Sequence, residues 1–558
     1  MTTSDTEPPA SDAATSTSVL IIGAGPIGLA LATDLGSRGV DCIVLERHAS
    51  VESATPKIMH VSVRTMEFCR RLGIADPVRN WGFPVDFPQD TAFVTSMSGY
   101  ELARIPVPAL EAATPSEFSP EDTCHCPQNW FDPILRRRAG EFPSVAFRYS
   151  TRFLGSEQSD GGVVATVLDD SSGRTSQIRA DYLVACDGYS STVRAALGIG
   201  MSGQDHVDFS VNILFRSDNL RQSHGFGDAL RYVLIGPNGT WATLWAVDGR
   251  DTWRLTAYGT DGAGIDALDA DEVIRDMGCV GLNYEIRSVT RWTRRALVAD
   301  HMREGRIFLA GDSAHATPPN GGLGMNTGFA DAMNLGWKLA GVIKGWAHPG
   351  LLDSYEPERL PVARQAVQEG LRDYGRLTEN TQFAGIDEPT DQGERIRRDL
   401  GARLRGENIK AWRPVGIHLG YVYQGSSAIV QDTPEHSFDI EPYEPSTVPG
   451  ARAPHAWLSA GHSTLDLFGD NYTLLRIGRQ APTAAALLSA AAARSIPVDV
   501  YDIDDDAVLG LYQYPLVLVR PDGHVAWRSN DDEFDAELVL DTLSGRRGGV
   551  PQQTTIHP

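Results

Sequence analysis

The sequence predicts an α/β chain of several domains. A buried, mostly parallel sheet is collected from separated segments, an antiparallel sheet is inserted between them, and a smaller unit follows at the C-terminal end. Three observations predict this. Short apolar runs at Ser18-Val-Leu-Ile-Ile-Gly23, Tyr182-Leu-Val-Ala-Cys186 and Arg306-Ile-Phe-Leu-Ala310 end in glycine or at a Gly/Asp pair, as strands buried on both faces do. Between the second and third runs, Val211 to Tyr258 alternates apolar and polar residues, with turn signals at Pro237-Asn-Gly239 and Asp248-Gly249, the pattern of antiparallel sheet. Finally, 558 residues, at about 100–200 per domain, predict roughly three or four domains.

Charge and cysteine usage exclude several function classes. Lys+Arg 49 against Asp+Glu 72 leaves a formal charge of −23. That excess argues against a nucleic-acid binder, which needs basic surface, and against docking on an anionic membrane. Solubility is its ordinary consequence. Apolar residues make up 42%, enough for a sizeable core. The 6 cysteines are Cys42, Cys69, Cys124, Cys126, Cys186 and Cys279. Their sparseness speaks against a secreted disulfide scaffold and for a reducing, cytoplasmic setting.

Met1 to Ser18 is a Ser/Thr/Asp/Pro tail without the basic start or apolar middle of a signal peptide, and is expected to be disordered. Val19 to Thr33 is uncharged but too short to span a bilayer. The strand ending at Gly23 leads into Gly23-Ala-Gly25-Pro-Ile-Gly28, a helical run closed by Gly36 and Gly39, and a second strand Val40–Leu45 ending at Glu46. This is one βαβ unit, and its context makes the glycine motif a Rossmann-like dinucleotide signature. Gly23 permits the tight turn, Gly25 lets the backbone approach a pyrophosphate, and Gly28 allows close helix–strand packing. The helix N-terminus offers free N–H groups to the phosphates, and Glu46 can accept hydrogen bonds from a ribose. Arg64 to Leu72 reads as a short helix stopped at Gly73.

Later, Gly311-Asp312-Ser-Ala-His315 opens a glycine-rich loop through Gly322, Gly324, Met325 and Asn326, with a long helix expected from Thr327. A carboxylate delivered by a strand can bind a polyol chain, and a following helix start can stabilise a developing anion. The predicted division is a tail at 1–18, a discontinuous nucleotide-binding domain at 19–88, 124–205 and 296–360, an inserted domain at 89–123 and 206–295, a helical connection at 361–445, and a last domain at 446–558.

At these segments together the chain resembles the FAD-dependent aromatic hydroxylases, the single-component flavoprotein monooxygenases of the p-hydroxybenzoate and phenol hydroxylase type, with the chlorophenol/biphenylol branch nearest. The resemblance rests on Gly23 to Gly28 with Glu46, on Asp187-Gly188-Tyr-Ser-Ser191-Thr-Val-Arg194, and on Gly311-Asp312 with its continuation. Arg64-Thr-Met-Glu67 and Asp353-Ser-Tyr-Glu-Pro-Glu-Arg359 look similar too. It implies that Gly23, Gly25 and Gly28 hold the FAD pyrophosphate, Glu46 and Arg47 the adenosine ribose, and Asp312 the ribityl chain. Gly324, Met325 and Asn326 would face the flavin pyrimidine edge, with Gln128 touching the flavin. Asp187 and Arg194 belong to a motif linked to both FAD and NAD(P)H. No second G-x-G-x-x-G follows a strand, so the nicotinamide donor is expected to bind transiently; the resemblance favours NADPH, and NADH stays open. The inserted sheet becomes a substrate domain. Phrases such as Pro449-Gly-Ala-Arg-Ala-Pro-His455 make the last segment resemble a thioredoxin-like domain, which without a cysteine after Cys279 cannot perform dithiol chemistry.

The implied reaction is hydroxylation of a phenol-like or heteroaromatic ring, such as a pyridinol, with NAD(P)H and O2, through a flavin C4a-hydroperoxide. An un-ionised phenol is a poor nucleophile, so a base or hydrogen-bond relay should help, and histidine suits that work. The nearest branch tends to carry an aspartate where this chain has His125. It carries a histidine where this chain has Met59, with His60 beside it. His125 and His60 are therefore the candidate catalytic residues, each with a structural imidazole as its alternative. Cys124-His125-Cys126 lacks the spacing and second cluster of a zinc site, so no metal is expected, and His315 reads as a positioning residue. Tyr232, Trp245, Trp253 and Tyr258 lie along the inserted strands, where only about half can face a pocket. Arg254 can orient a phenolate or lie outside it. The competing functions are an epoxidase or Baeyer–Villiger-like oxygenase of the same fold acting on a larger natural-product skeleton, and a non-catalytic flavin-fold binding protein. A homo-oligomer is compatible with the resemblance.

Overall fold

The computed structural model describes residues 15–50, 59–113, 116–260, 268–378, 382–411, 415–432 and 443–547. Its first sheet runs, in spatial order, through Arg303–Glu304, Ile307–Leu309, Arg174–Ala185, Thr15–Ile22, Cys42–Leu45 and Val145–Arg148, with Gly162–Asp169 and Thr151–Ser159 extending from the third of these. The strands from Ile307–Leu309 to Val145–Arg148 are mutually parallel. Val19, Leu20 and Ile21 at their centre are fully buried, as a parallel sheet covered on both faces requires. Their C-terminal ends therefore open along one edge, where ligands of such sheets bind.

Two expectations are corrected here. Thr15 to Ser18 is not disordered tail but the start of the first strand, and Thr15 lies opposite Ile178. The long Arg174–Ala185 strand supplies a ladder on which these residues pair, and Arg148 donates to Thr15 Oγ1 at 2.8 Å. The remainder of the tail lies outside the described residues. The long helix runs over Leu323–Ile343, starting four residues before Thr327. Gly322 takes a left-handed φ of 66° as its N-cap, so Gly324, Met325 and Asn326 form its first turn rather than a loop. This helix crosses Pro26–Ser37 closely: a Cβ at Gly328 would lie 2.8 Å from Gly311 Cα and 2.9 Å from Ile27 Cδ1.

The second sheet has 8 strands in the order His315–Ala316, Glu285–Ala299, Met201–Arg216, Thr252–Thr260, Gly239–Ala246, Arg231–Gly236, Thr91–Val94 and Glu101–Ile105. All neighbours are antiparallel except Thr91–Val94 with Arg231–Gly236. Met201–Arg216 and Glu285–Ala299 run unbroken across the boundaries expected at 205/206 and 295/296. Each pairs only within the second sheet.

Helices Tyr355–Thr378 and Asp391–Ala411 follow. The second buries Leu400 and Leu404 against Phe93, Leu102 and Ile105. The C-terminal unit carries a 4-stranded sheet ordered Val498–Ile503, Tyr472–Ile477, Leu516–Val519, Val525–Ser529. Its first pair is parallel and the others antiparallel. It packs Tyr472 on Trp337 of the long helix, ring centroids 5.8 Å apart. A buried charge network reinforces that joint. Glu358 accepts from Arg520 Nη1 at 2.7 Å, Lys338 Nζ at 2.7 Å, Asn334 Nδ2 at 2.6 Å and Ser426 Oγ at 2.5 Å. Among the described residues no helix is long and apolar enough to cross a membrane.

Candidate functional site

The cradle at the first strand's end is shaped by three glycines with different surroundings. Gly23 has φ +105°, and a Cβ there would overlap the Cys186 carbonyl. A Cβ on Gly28 would overlap the Gly23 carbonyl and lie 3.3 Å from Cys186 Cβ. These two hold the turn against the neighbouring strand. Gly25 is different, because nothing lies within 4 Å of where its Cβ would be. It caps the helix that Pro26 opens, and no side chain caps that helix. The first-turn N–H groups are thus presented beside an open space, the arrangement that binds anionic phosphate.

Acidic groups rim this cradle. Glu46 accepts from Ala24 N at 3.0 Å and from His48 N at 2.9 Å, which fixes its carboxylate beside the turn. Arg47 is exposed, its Nε 3.2 Å from His48 Nε2. Asp187 accepts from Thr192 N at 2.8 Å and Val193 N at 3.3 Å through Oδ2, capping the short helix after it. Its Oδ1 is buried without a hydrogen-bond partner, and burial raises its pKa. Arg194 donates to the Ser313 and Tyr189 carbonyls, both at 2.8 Å. Ser313 Oγ donates to the Ala185 carbonyl at 2.8 Å. A Cβ at Gly311 would lie 2.7 Å from Ile27 Cγ1. The two glycine motifs, far apart in the chain, therefore meet at the strand ends, with Asp312 exposed beside them.

The loop and helix start are held from behind. Asp331 accepts from Gly311 N at 3.0 Å, His315 Nε2 at 2.8 Å and Arg359 Nε at 2.7 Å. Burial opposes its charge, but Arg359 and His315 hold its pKa below the usual range. Asn326 uses its side chain as a tie. Oδ1 accepts from Ser62 N at 2.9 Å and Thr65 Oγ1 at 2.7 Å, and Nδ2 donates to the Gly322 and His60 carbonyls at 2.6 and 3.3 Å. Met325 is buried in the same turn. This brings His60 against the start of the long helix.

A cluster of aromatic residues adjoins that start. His60 and His125 lie opposite each other in a short antiparallel pair, rings 5.8 Å apart. His60 stands edge-on to Trp245 at 5.2 Å, and His125 to Phe83 at 4.7 Å. Trp81 Nε1 donates to the His125 carbonyl at 2.7 Å. His125 Nε2 is 3.0 Å from the Val247 carbonyl. A carbonyl only accepts, so Nε2 carries the proton and Nδ1 is a lone pair. That Nδ1 is buried with no hydrogen-bond partner. Burial lowers His125 to about 4, and burial with the nearby charges of His125, Arg231 and Arg254 lowers His60 to about 3. Cys124 and Cys126 are buried, their thiols pushed up by burial. Among the described residues no three His, Cys, Asp or Glu side chains are grouped to hold a metal. Gln128 opens the helix Gln128–Ala139; its Nε2 donates to Asp132 at 2.9 Å, while its buried Oε1 has no partner.

The second sheet contributes Trp245 to this cluster. Trp245 lies directly between Arg231 and Arg254 in the register. The same face carries Thr243 and Tyr258, whose hydroxyls are 2.8 Å apart. Tyr232 and Trp253 point to the opposite face and belong to its apolar core, as alternation requires. Arg254 is buried at 8% exposure rather than lying outside. Arg231, Trp81, Phe83 and the Val247 carbonyl were not foreseen. Arg231 has a legible signal, being a charged residue opening an otherwise apolar strand.

Residues 16–370 match the family described as FAD binding domain, and 446–546 the family described as aromatic-ring hydroxylase, C-terminal. The chain is 34% identical to a putative polyketide hydroxylase of Streptomyces halstedii, covering 92% of this chain and 93% of that one. It is 31% identical to a phenol 2-monooxygenase of Pseudomonas sp. (strain EST1001), over 95% and 92%. The solved structure of the rebeccamycin biosynthetic enzyme RebC with reduced flavin superposes with TM-score 0.89 and 38% identity, covering 96% of this chain and 100% of that one.

Proposed function

Because the chain belongs to the FAD-dependent aromatic hydroxylases, we propose that it is an NAD(P)H-consuming monooxygenase that hydroxylates a phenol-like ring in a chamber beside His60, His125 and Trp245. The carrying observation is that Gly23–Gly28, Asp187 and Gly311–Asp312 meet at the ends of the parallel strands, next to the helix start that Asn326 ties to His60. These residues fit FAD. The open space at Gly25 suits a pyrophosphate, and exposed Asp312 can take a ribityl hydroxyl. Glu46 keeps acceptor capacity for a ribose beside Arg47. The lone Oε1 of Gln128 and Oδ1 of Asp187 are buried acceptors that a bound group would satisfy. Gly324, Met325 and Asn326 offer helix-start N–H groups to a developing anion. When bound, FAD would supply activation of O2 for transfer of one oxygen atom to an electron-rich ring, with NADPH or NADH as the source of electrons.

His125 acts on the ring hydroxyl. With Nε2 committed to Val247, Nδ1 is the atom that accepts the hydroxyl's hydrogen bond and draws charge into the ring. A ring held down to about 4 stays neutral at working pH, so its lone pair is always available. His60 tightens the same corner. The apolar wall of buried Phe83 and Trp245 and half-buried Trp81 excludes water, which protects oxygen transfer from wasteful peroxide release. The C-terminal sheet, thioredoxin-like in its strand order, packs and braces the long helix without redox chemistry. The domain division follows the three sheets, with the second serving as substrate domain. A second reading, a larger polycyclic natural-product substrate in the same chamber, is favoured by the similarity to the polyketide hydroxylase and to RebC.

The test is a panel of monocyclic and polycyclic phenols, scored by stimulated NAD(P)H oxidation and product mass. A flavin-loaded protein with stimulated oxidation and one added oxygen is expected; a protein that takes up no flavin and shows no stimulation would overturn the proposal. His125→Ala is expected to slow oxygen insertion by about 10²-fold with FAD retention unchanged. The wild-type kcat/KM profile should lack a limb near pH 6.5. Equal turnover in the variant removes His125 from the mechanism.

A further inference from the structure

The segment from Asn320 to Asn326 carries two left-handed glycines in succession, Gly321 at φ 79° and Gly322 at φ 66°. Such a pair has little stiffness of its own, and the structure pins it at both ends. At Asn326 the pins are the Ser62 N–H and the Thr65 hydroxyl, while Asn326 Nδ2 donates to the His60 carbonyl. At Asn320 the pin is Arg294, whose Nη1 donates to Asn320 Oδ1. Arg294 belongs to the second sheet and is fully buried. In the register Arg294 lies opposite Asp208, and Trp292 and Tyr258 lie opposite Ser210. With the two-residue period of strands, Arg294 therefore shares a face with Tyr258 and Arg254. Arg254 lies opposite Trp245, which His60 touches. One face of one sheet thus reaches both ends of the glycine segment.

Arg294 is itself held rigidly. Its Nε donates to Asp208 at 2.8 Å and its Nη2 to Ser210 Oγ at 3.0 Å. Asp208 also accepts from the Tyr374 hydroxyl of the helix Tyr355–Thr378, at 2.5 Å. The guanidinium lies over the rings of Tyr374 at 4.2 Å, Trp292 at 5.1 Å and Tyr258 at 5.5 Å. The Tyr258 hydroxyl in turn meets that of Thr243, on the Trp245 side of the sheet. A planar fork with its bonds in fixed directions transmits a small displacement as a unit. A shift of Tyr258 is therefore passed to Asn320, and a shift of Asn320 to Tyr258.

We infer that Arg294 and Asn320 are positioning residues that couple the substrate to the flavin. A ring seated on the Trp245 face and a flavin at the start of the long helix both order the segment that these two residues tie to the sheet. Whichever ligand binds second then loses less conformational freedom. This rests on the hydroxylase reading and adds to it the link between its two sites. Linkage makes the effect reciprocal: the factor by which substrate raises FAD affinity equals the factor by which FAD raises substrate affinity.

Asn320→Ala is the informative variant, because it removes the acceptor yet leaves Arg294 its bonds to Asp208 and Ser210. Asn320→Asp keeps an acceptor for the guanidinium. Full-length protein is titrated with FAD, with and without 2-naphthol, and with 2-naphthol, with and without FAD. In wild type each ligand is expected to raise the affinity of the other by about fivefold or more. In Asn320→Ala that factor should fall to about one, with the affinity for each ligand alone within about threefold of wild type, and Asn320→Asp should retain the coupling. Amide hydrogen exchange over Gly321–Asn326, measured without any ligand, should be about tenfold faster in Asn320→Ala and like wild type in Asn320→Asp. Thermal melts confirm that each variant is folded. Coupling that survives in Asn320→Ala, exchange unchanged there, or a wild type that binds 2-naphthol no more tightly with FAD than without it overturns the inference. So does an Asn320→Asp variant that behaves like Asn320→Ala, which would make the side chain's role merely structural. If FAD binds and phenols stimulate NAD(P)H oxidation while the coupling is absent, the inference fails and the hydroxylase reading stands; if flavin is not bound, the reading itself fails.

Discussion

Replacing Glu358 with alanine is expected to destabilise the protein by about 3–5 kcal/mol, the cost of breaking a buried ion pair from one side. Glu358 is fully buried between Arg520 and Lys338. Burial alone would raise its pKa; the two cations hold it at about 2. Without it, the Arg520 guanidinium keeps, among the described residues, Asp522 at 2.6 Å as its ion-pair partner, while Lys338, already lowered to about 8 by burial, loses its counter-ion. Asn334 and Ser426 lose an acceptor as well. Since these groups come from the long helix, the following helix and the C-terminal sheet, the variant should shift the guanidinium midpoint and expose the C-terminal unit first to proteolysis. The double variant Glu358→Ala/Arg520→Ala should cost less than the sum of its parts, because it removes both charges. A midpoint within error of wild type would contradict the role given to this joint.

Acid should unfold the protein well above the carboxylate range. His60 is lowered to about 3, and His125, His418 and His524 to about 4, each chiefly by burial. In the unfolded chain these rings protonate near pH 6.5. The folded state cannot bind the same protons, so stability is full above about 6.5 and falls as pH drops toward 4. At about 1.4 kcal/mol per pKa unit, each ring removes at most about 3.5 kcal/mol across that window, and four together are comparable to the whole stability of a typical domain. Below about 4.5 the depressed carboxylates Glu358, Asp522 and Glu67 add to the loss. Thermal melts from pH 8 to 4.5 should be flat above 7 and steep below 6.5, and His418→Phe should flatten the slope. A Tm constant down to pH 5 would contradict the burial of these rings.

What could be read from the sequence was local. Gly23, Gly25 and Gly28 sit between a strand and a helix that follow within a few residues, so their context is in plain view. The start of the long helix was hidden, because Leu323-Gly-Met-Asn326 looks like more of a glycine-rich loop until Gly322 is seen as a left-handed cap. Thr15 to Ser18 looks like tail until the Arg174–Ala185 strand, distant in sequence, offers it a ladder. The inward face of the second sheet could not be assigned without register: Trp245 and Trp253 are equally aromatic, and only pairing with Arg231 and Arg254 separates them. Asp187, linked by resemblance to FAD and NAD(P)H, is a helix cap that also bears a buried oxygen without a hydrogen-bond partner. The Glu358–Arg520 joint spans 162 residues, a separation over which no periodicity carries information.

In the proposed function, one FAD lies between the Gly23–Gly28 turn and the segment from Gly311 to the first turn of the Leu323–Ile343 helix. Gly25→Val tests it most directly, because Gly25 has φ −75°, ordinary for any residue, and a Cβ there meets no protein atom within 4 Å. The variant should therefore fold like wild type while filling the pyrophosphate's space. Flavin-free protein titrated with FAD, followed by flavin fluorescence, should show one site in wild type, at least 100-fold weaker binding in Gly25→Val, and about tenfold weaker in Asp312→Ala. Unchanged FAD affinity in a folded Gly25→Val protein would contradict the account.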